Sequence, residues 1–302
     1  MRWVGLAFGI ACLLGAIVVS MREHDALSRA LGALREARPG MVALLVAGFA
    51  AAIPLTSMLF AILLRRFARV GFGEMLALIA ATSLANMLPL KPGFVGRVAW
   101  HRARHGVRAA DTLRTVIEAI LLSALVAALM LAAVPLLRAA GAPVALALLA
   151  PALFACVGVA PRARTFAAAL LVRQCEFALS VGRYAIALEL VGAATSIASR
   201  SGASTEIHSV ASVGTSIETA IVLACASAVA TLVPFVSNGL GLREWTTALI
   251  LPALDAGTFA AGVSAELVLR AAELLVTVPA GLIGGAWLAR HARSVSSTQR
   301  AP

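Results

Sequence analysis

The strongest constraint on this chain is a series of apolar runs, each about as long as a bilayer is thick. They lie around 4–20, 41–63, 113–137, 143–160, 166–191, 217–233 and 269–289, with shorter apolar pieces at 75–90 and 246–268. A hydrocarbon core of about 30 Å takes about 20 helical residues, so the runs predict an all-α, polytopic integral membrane protein with about six to eight transmembrane helices. The chain is 61% hydrophobic over its 302 residues, with a mean hydropathy of +0.95. A soluble core cannot use that much apolar surface, and no alternation of strand period suggests a β-barrel. One transmembrane domain therefore covers 1–302, closing in a basic tail at 291–302.

Met1 and Arg2 precede the first run. A signal peptide is one reading, but "VVSMREHD" offers no clean small-residue cleavage site, which favours an uncleaved first helix. Cys12, Cys156, Cys175 and Cys225 are far apart inside apolar runs and read as helix-packing residues. The formal charge of +11 reports topology and attraction to anionic headgroups. Basic modules interleaved with aromatics are missing, which argues against nucleic acid as a partner.

Basic clusters flank the 75–90 piece. Arg65, Arg66 and Arg69 precede it; Lys91, Arg97, Arg102, Arg104, Arg108 and Arg114 follow. Positive residues mark the cytoplasmic side, so both flanks are expected there, and the segment dips in and returns as a re-entrant hairpin. The alternative is an ordinary span, which would invert everything after it. Irregular backbone at membrane depth needs surrounding protein or a water-filled cavity, which gives the break at Pro89, Pro92, Gly93 and Gly96 a purpose. Arg162 and Arg164 mark another cytoplasmic loop, and Gly192 to Ser216 reads as an extended non-cytoplasmic loop. Both termini are expected in the cytoplasm.

The break recurs. "MLPLKPGFVGRVAWHRA" (Met87 to Ala103) and "LVPFVSNGLGLREWTTA" (Leu232 to Ala248) share the spacing from Pro89 to Trp100 and from Pro234 to Trp245. Gly96 matches Gly241, and Arg97 matches Arg243 within one residue. Chance similarity in a Gly-, Ala- and Leu-rich chain is the competing explanation, but Pro and Trp are scarcer here. A true repeat places its halves at about 75–137 and 217–289, with the second motif dipping from the opposite side. Paired interrupted helices of this kind build inverted-repeat secondary transporters. Their exposed helix N-termini favour anions, and arginine supplies a fork of donors suited to phosphate.

At these two motifs the chain resembles the family that includes the membrane domain of lysylphosphatidylglycerol synthetases and its stand-alone, flippase-like relatives. The resemblance rests on "NMLPLKPGFVGRVAWHRARHGVRAADTLRTVIEAI" (Asn86 to Ile120) and "LVPFVSNGLGLREWTTALIL" (Leu232 to Leu251), and its length covers nearly the whole chain. Pro234, Gly239, Gly241, Arg243 and Glu244 fit the second signature. Asn238 stands where the family often has a second glycine; Glu118 fits the helix after the first motif, while Ala119 and Leu122 depart from it. The resemblance implies lipid translocation in a bacterial inner membrane. Some members move aminoacylated phosphatidylglycerol, and others are associated with hopanoid or polyprenyl-linked lipids. A stand-alone member without the aminoacyl-transferase domain is therefore expected.

Ionisable residues inside apolar segments are functional candidates. Arg173, Glu176 and Arg183 share a helical face, as do Glu266, Arg270 and Glu273, and Arg114 pairs with Glu118. Each set reads either as a structural pair or as a polar lining for a headgroup. His101 and His105 are spaced for a metal, but a basic interfacial helix explains them better. Gly281 and Gly285 form a GxxxG. Enzyme signatures such as HExxH and GxSxG are missing, so the chain is expected to be no enzyme and to need no cofactor or metal.

The expected function is a flippase or lipid transporter for a polar-headgroup lipid. The alternative is a non-catalytic membrane subunit presenting a lipid carrier to a separate glycosyl- or aminoacyl-transferase. The partners are membrane lipids with anionic or polar headgroups; no oligomeric state is read from the sequence. The candidate headgroup residues are Asn86, Pro89, Gly93, Gly96, Arg97, Glu118, Pro234, Asn238, Gly239, Gly241, Arg243, Glu244 and Arg270, with most weight on Arg97, Arg243, Glu118 and Arg270. Alanine at Arg97 or Arg243 is expected to reduce transport without unfolding the protein.

Overall fold

A computed structural model of the chain describes residues 38–88, 91–157, 164–200, 213–232 and 241–298; side chains at 157, 193–200, 213–216, 232 and 293–298 are not described. The described residues are all-helical. Four helices are long and apolar enough to cross a membrane: α1 (Pro39–Leu64), α4 (Ala109–Ala139), α6 (Arg164–Arg200, apolar over Arg164–Gly192) and the last helix α9 (Phe259–Thr298, apolar over Phe259–Ala292). Between them stand α2 (Phe72–Ala85), α3 (Pro92–His105), α5 (Ala150–Val157), α7 (Val213–Leu232) and α8 (Leu242–Ala253).

Among the described residues the count is thus four, where six to eight are expected of the whole chain. The 4–20 run lies outside the described residues. The 143–160 run forms no continuous helix: Val144–Leu149 is a 3-10 turn, and α5 has 8 residues. Pro151 stands in the first turn of α5, where its missing N–H is tolerated, and the 3-10 segment gives way to α-helix just before it. The loop expected from Gly192 to Ser216 is shorter, because α6 continues to Arg200 and α7 begins at Val213; 201–212 lie outside the described residues.

Helices α2 and α3 form an antiparallel hairpin. At its base, Glu74 accepts from Trp100 Nε1 at 2.8 Å and meets His105 Nε2 at 2.9 Å. Midway, Arg97 Nη2 donates to Thr82 Oγ1 at 3.0 Å. At the tip, a Cβ on Gly93 would overlap the Thr82 carbonyl oxygen and the Asn86 side chain. Only glycine permits that approach.

Local chemistry sets the ends. Pro92 stands at the start of α3, where its missing N–H costs nothing. Lys91 before it adopts a left-handed φ of 46°. Gly106, with φ 65°, closes α3, and Arg102, Arg104 and His105 lie in its last turn, where cations suit the helix dipole.

Helix α8 lies antiparallel to the first part of α9. Gly262 packs against Thr247 and Ala248, while Arg243, at the other end of α8, reaches Glu266 and Glu273. The second part of α9 carries the α2–α3 hairpin: Gly281 packs on Leu84, Gly284 on Ala77, and Leu288 clusters with Ala77 and Leu78. The tip of α8 thus lies near Glu273 and the tip of α2 near Gly281, eight residues apart on α9, about 12 Å of helix. Lys91 Nζ donates to the Thr231 carbonyl at the end of α7 at 2.9 Å. The tip of the α2–α3 hairpin therefore lies against the end of α7 and the start of α8. The element order also repeats: helix, break, short helix, turn and long helix run through α2–α3–α4 and again through α7–α8–α9.

Candidate functional site

A cavity of about 390 Å³ occupies the space between the tips. Its polar lining comes from every surrounding element: Thr56 from α1, Asn86 from the end of α2, Lys91 and Arg97 from α3 and its entry, Arg173, Glu176 and Arg183 from α6, Thr231 from α7, Arg243 from α8, and Glu273 and Thr277 from α9. Phe49, Phe60, Phe94 and Phe177 add aromatic walls. Five lining residues are cationic and two are acidic.

Both acids are engaged. Glu176 accepts from Thr56 and pairs with Arg173 at 2.5 Å. Glu273 pairs with Arg243 at 3.1 Å and with Arg270 at 3.3 Å. Arg243 also meets Glu266 at 2.7 Å, and Glu266, fully buried, accepts from Tyr184 at 2.9 Å. Arg270 completes the network through Glu244 at 3.0 Å. This buried cluster clamps α8 to α9 and α6.

Arg97 is different. It is 4% exposed, and its hydrogen bond is to the neutral Thr82 hydroxyl. Its guanidinium lies over the Phe60 ring at 4.2 Å and beside Phe94 at 5.8 Å, contacts that suit a flat cation. Nε and Nη1 have no hydrogen-bond partner among the described residues. Arg183 is held by Ser180 Oγ and lies over Phe49 at 4.2 Å. Asn86 Oδ1 also lacks a donor. A buried donor without an acceptor is costly, which makes Arg97 the residue best prepared for an incoming anion.

The structure brings together Asn86, Gly93, Arg97, Gly241, Arg243, Glu244 and Arg270 at or beside the tips. Gly241 has φ 80° at the start of α8, a conformation that glycine tolerates. Gly96 is not required by packing, since a Cβ there meets nothing within 4 Å. Glu118 is not a cavity residue. It pairs with Arg66 and with Arg114, the latter at 3.2 Å, near the base of the first hairpin. Pro89, Pro234, Asn238 and Gly239 lie outside the described residues.

Lys91, Arg173, Glu176 and Arg183 line the cavity although the motif comparison gave them no binding role. The shared face of the three α6 residues was the available signal. His101 and His105 are 6.3 Å apart between ring centroids, and His105 is taken by Glu74. Among the described residues, no group of three His, Cys, Asp or Glu side chains is placed to hold a metal ion. Burial, with Arg97 and His105 nearby, pushes His101 down to about 4.

Comparison with protein-family models, with curated proteins and with solved structures finds no match.

Proposed function

We propose that the chain moves a polar-headgroup lipid across the bilayer, passing the headgroup between the tips of two re-entrant hairpins. The observation that carries this reading is the cavity between the facing tips, with Arg97 buried in its wall. Helix α2 has 14 residues, about 21 Å of helix against a core of about 30 Å. Both ends of its hairpin lie together, among the exposed Arg65, Arg66, Arg69, Arg102, Arg104, Arg108 and Arg114. By the positive-inside rule this end is cytoplasmic, as is the end of α9 that packs beside it.

The second hairpin then enters from the opposite side, and the two halves form an inverted repeat. The outward face of α3 suits this placement: Val95 and Ala99 are exposed near the tip, and Arg102 and Arg104 near the base. The resemblance to the lysylphosphatidylglycerol synthetase membrane-domain family favours the same function and a bacterial inner membrane. The chain acts here as a transporter rather than an enzyme.

The test is reconstitution into liposomes that carry a fluorescent phospholipid in both leaflets. Protein-dependent loss of quencher-protected fluorescence supports transport. If well-folded protein moves no phospholipid or polyprenyl-phosphate analogue, the alternative of a lipid-presenting subunit replaces it.

A further inference from the structure

We infer that the cavity selects a headgroup with a net-negative phosphate ester, anchored on Arg97, over cationic or uncharged headgroups. This names the substrate class of the site proposed above and rests on that reading.

Charge placement carries the inference. Glu176 and Glu273 each already hold a cation, Arg173 and Arg243 respectively. Arg97 and Arg183 have no carboxylate within ion-pair distance among the described residues, and aromatic faces hold both in place. Arg97 also keeps Nε and Nη1 without acceptors while 4% exposed. A phosphate ester supplies oxygen acceptors and the missing negative charge together. A headgroup ending in an ammonium would bring another cation beside Arg97, which lacks a carboxylate, and like charges in a shielded site repel. An uncharged headgroup would leave the positive charge uncompensated.

The test is equilibrium binding to the purified full chain in neutral detergent. The probes share acyl chains: phosphatidylglycerol, phosphatidic acid, a trimethylammonium lipid and diacylglycerol, with inorganic phosphate as competitor. The expected result is tighter binding of both phosphate lipids by about tenfold or more. Arg97→Gln should lose that preference and Arg97→Lys should restore most of it, with Arg97→Lys also showing that the site still folds. Equal binding of the trimethylammonium lipid or diacylglycerol, or an unchanged preference in Arg97→Gln, overturns the inference. Inorganic phosphate binding as tightly as the lipids would assign the site to a free anion and overturn the lipid part. Selective binding without translocation in liposomes upholds this inference and defeats the transport reading; translocation without charge preference does the reverse.

Discussion

Arg97 and Arg243 face one cavity, but Arg243 is gripped by Glu266 at 2.7 Å and Glu273 at 3.1 Å, while Arg97 has no carboxylate partner among the described residues. The sequence motif treats the two arginines as equivalents. Their surroundings assign Arg243 to holding α8 on α9, and Arg97 to the cavity.

Arg243→Ala should therefore unfold the protein more easily, contrary to the expectation from the motif alone. It leaves the fully buried Glu266 without its cation, and breaking a buried pair costs about 3–5 kcal/mol. Arg97→Gln removes a buried charge that no carboxylate compensates, and should change stability by less than about 1 kcal/mol. Thermal unfolding of the purified variants in detergent checks both. Equal losses would refute the assignment of roles.

The glycines of the first break should separate in the same way. Gly93→Ala forces a methyl group into the Thr82 carbonyl and the Asn86 side chain, and overpacking of this kind costs about 1–3 kcal/mol. Gly96→Ala meets no atom within 4 Å and should stabilise α3 by up to about 1 kcal/mol through helix propensity. Melting temperatures on either side of the wild-type value would bear this out.

On α9, the contact with α2 uses Gly281 and Gly284, while Gly285 faces open space. Gly284→Leu should weaken the protein and loosen the first hairpin, whereas Gly285→Leu should be tolerated. Proteolysis rates of the folded protein report the difference.

Much of this was legible in the sequence. The breaks announce themselves through Pro, Gly and the arginines around them, and the apolar runs at 41–63 and 113–137 became α1 and α4. The 143–160 run misled because hydropathy alone does not register helix type: a 3-10 turn over Val144–Leu149 leaves α5 only 8 residues. Glu118 misled because its spacing from Arg114 gives a partner but no direction relative to the cavity. Arg243 is the instructive case: its carboxylate partners lie 23 and 30 residues further on, and pairing at that distance is set by how α8 folds back along α9.

Acid should destabilise the base of the first hairpin. His101 is buried and its pKa falls from the ordinary 6.5 to about 4, with Arg97, His105 and Glu74 around it. The unfolded chain takes up its proton first, so stability is full above about pH 6.5 and declines as pH falls toward about 4. His101→Gln should flatten the melting temperature across that window. An unchanged pH slope would show that another group is responsible.

The proposed lipid path runs between the facing tips, where Lys91 Nζ donates to the Thr231 carbonyl. The most direct measurement is lipid translocation in liposomes by a Lys91→Cys, Thr231→Cys protein lacking its native cysteines, before and after treatment with a short bifunctional thiol crosslinker. Translocation should proceed before crosslinking and stop once the tips are joined, while either single-cysteine protein continues. Undiminished translocation by the crosslinked protein would contradict it and place the path elsewhere.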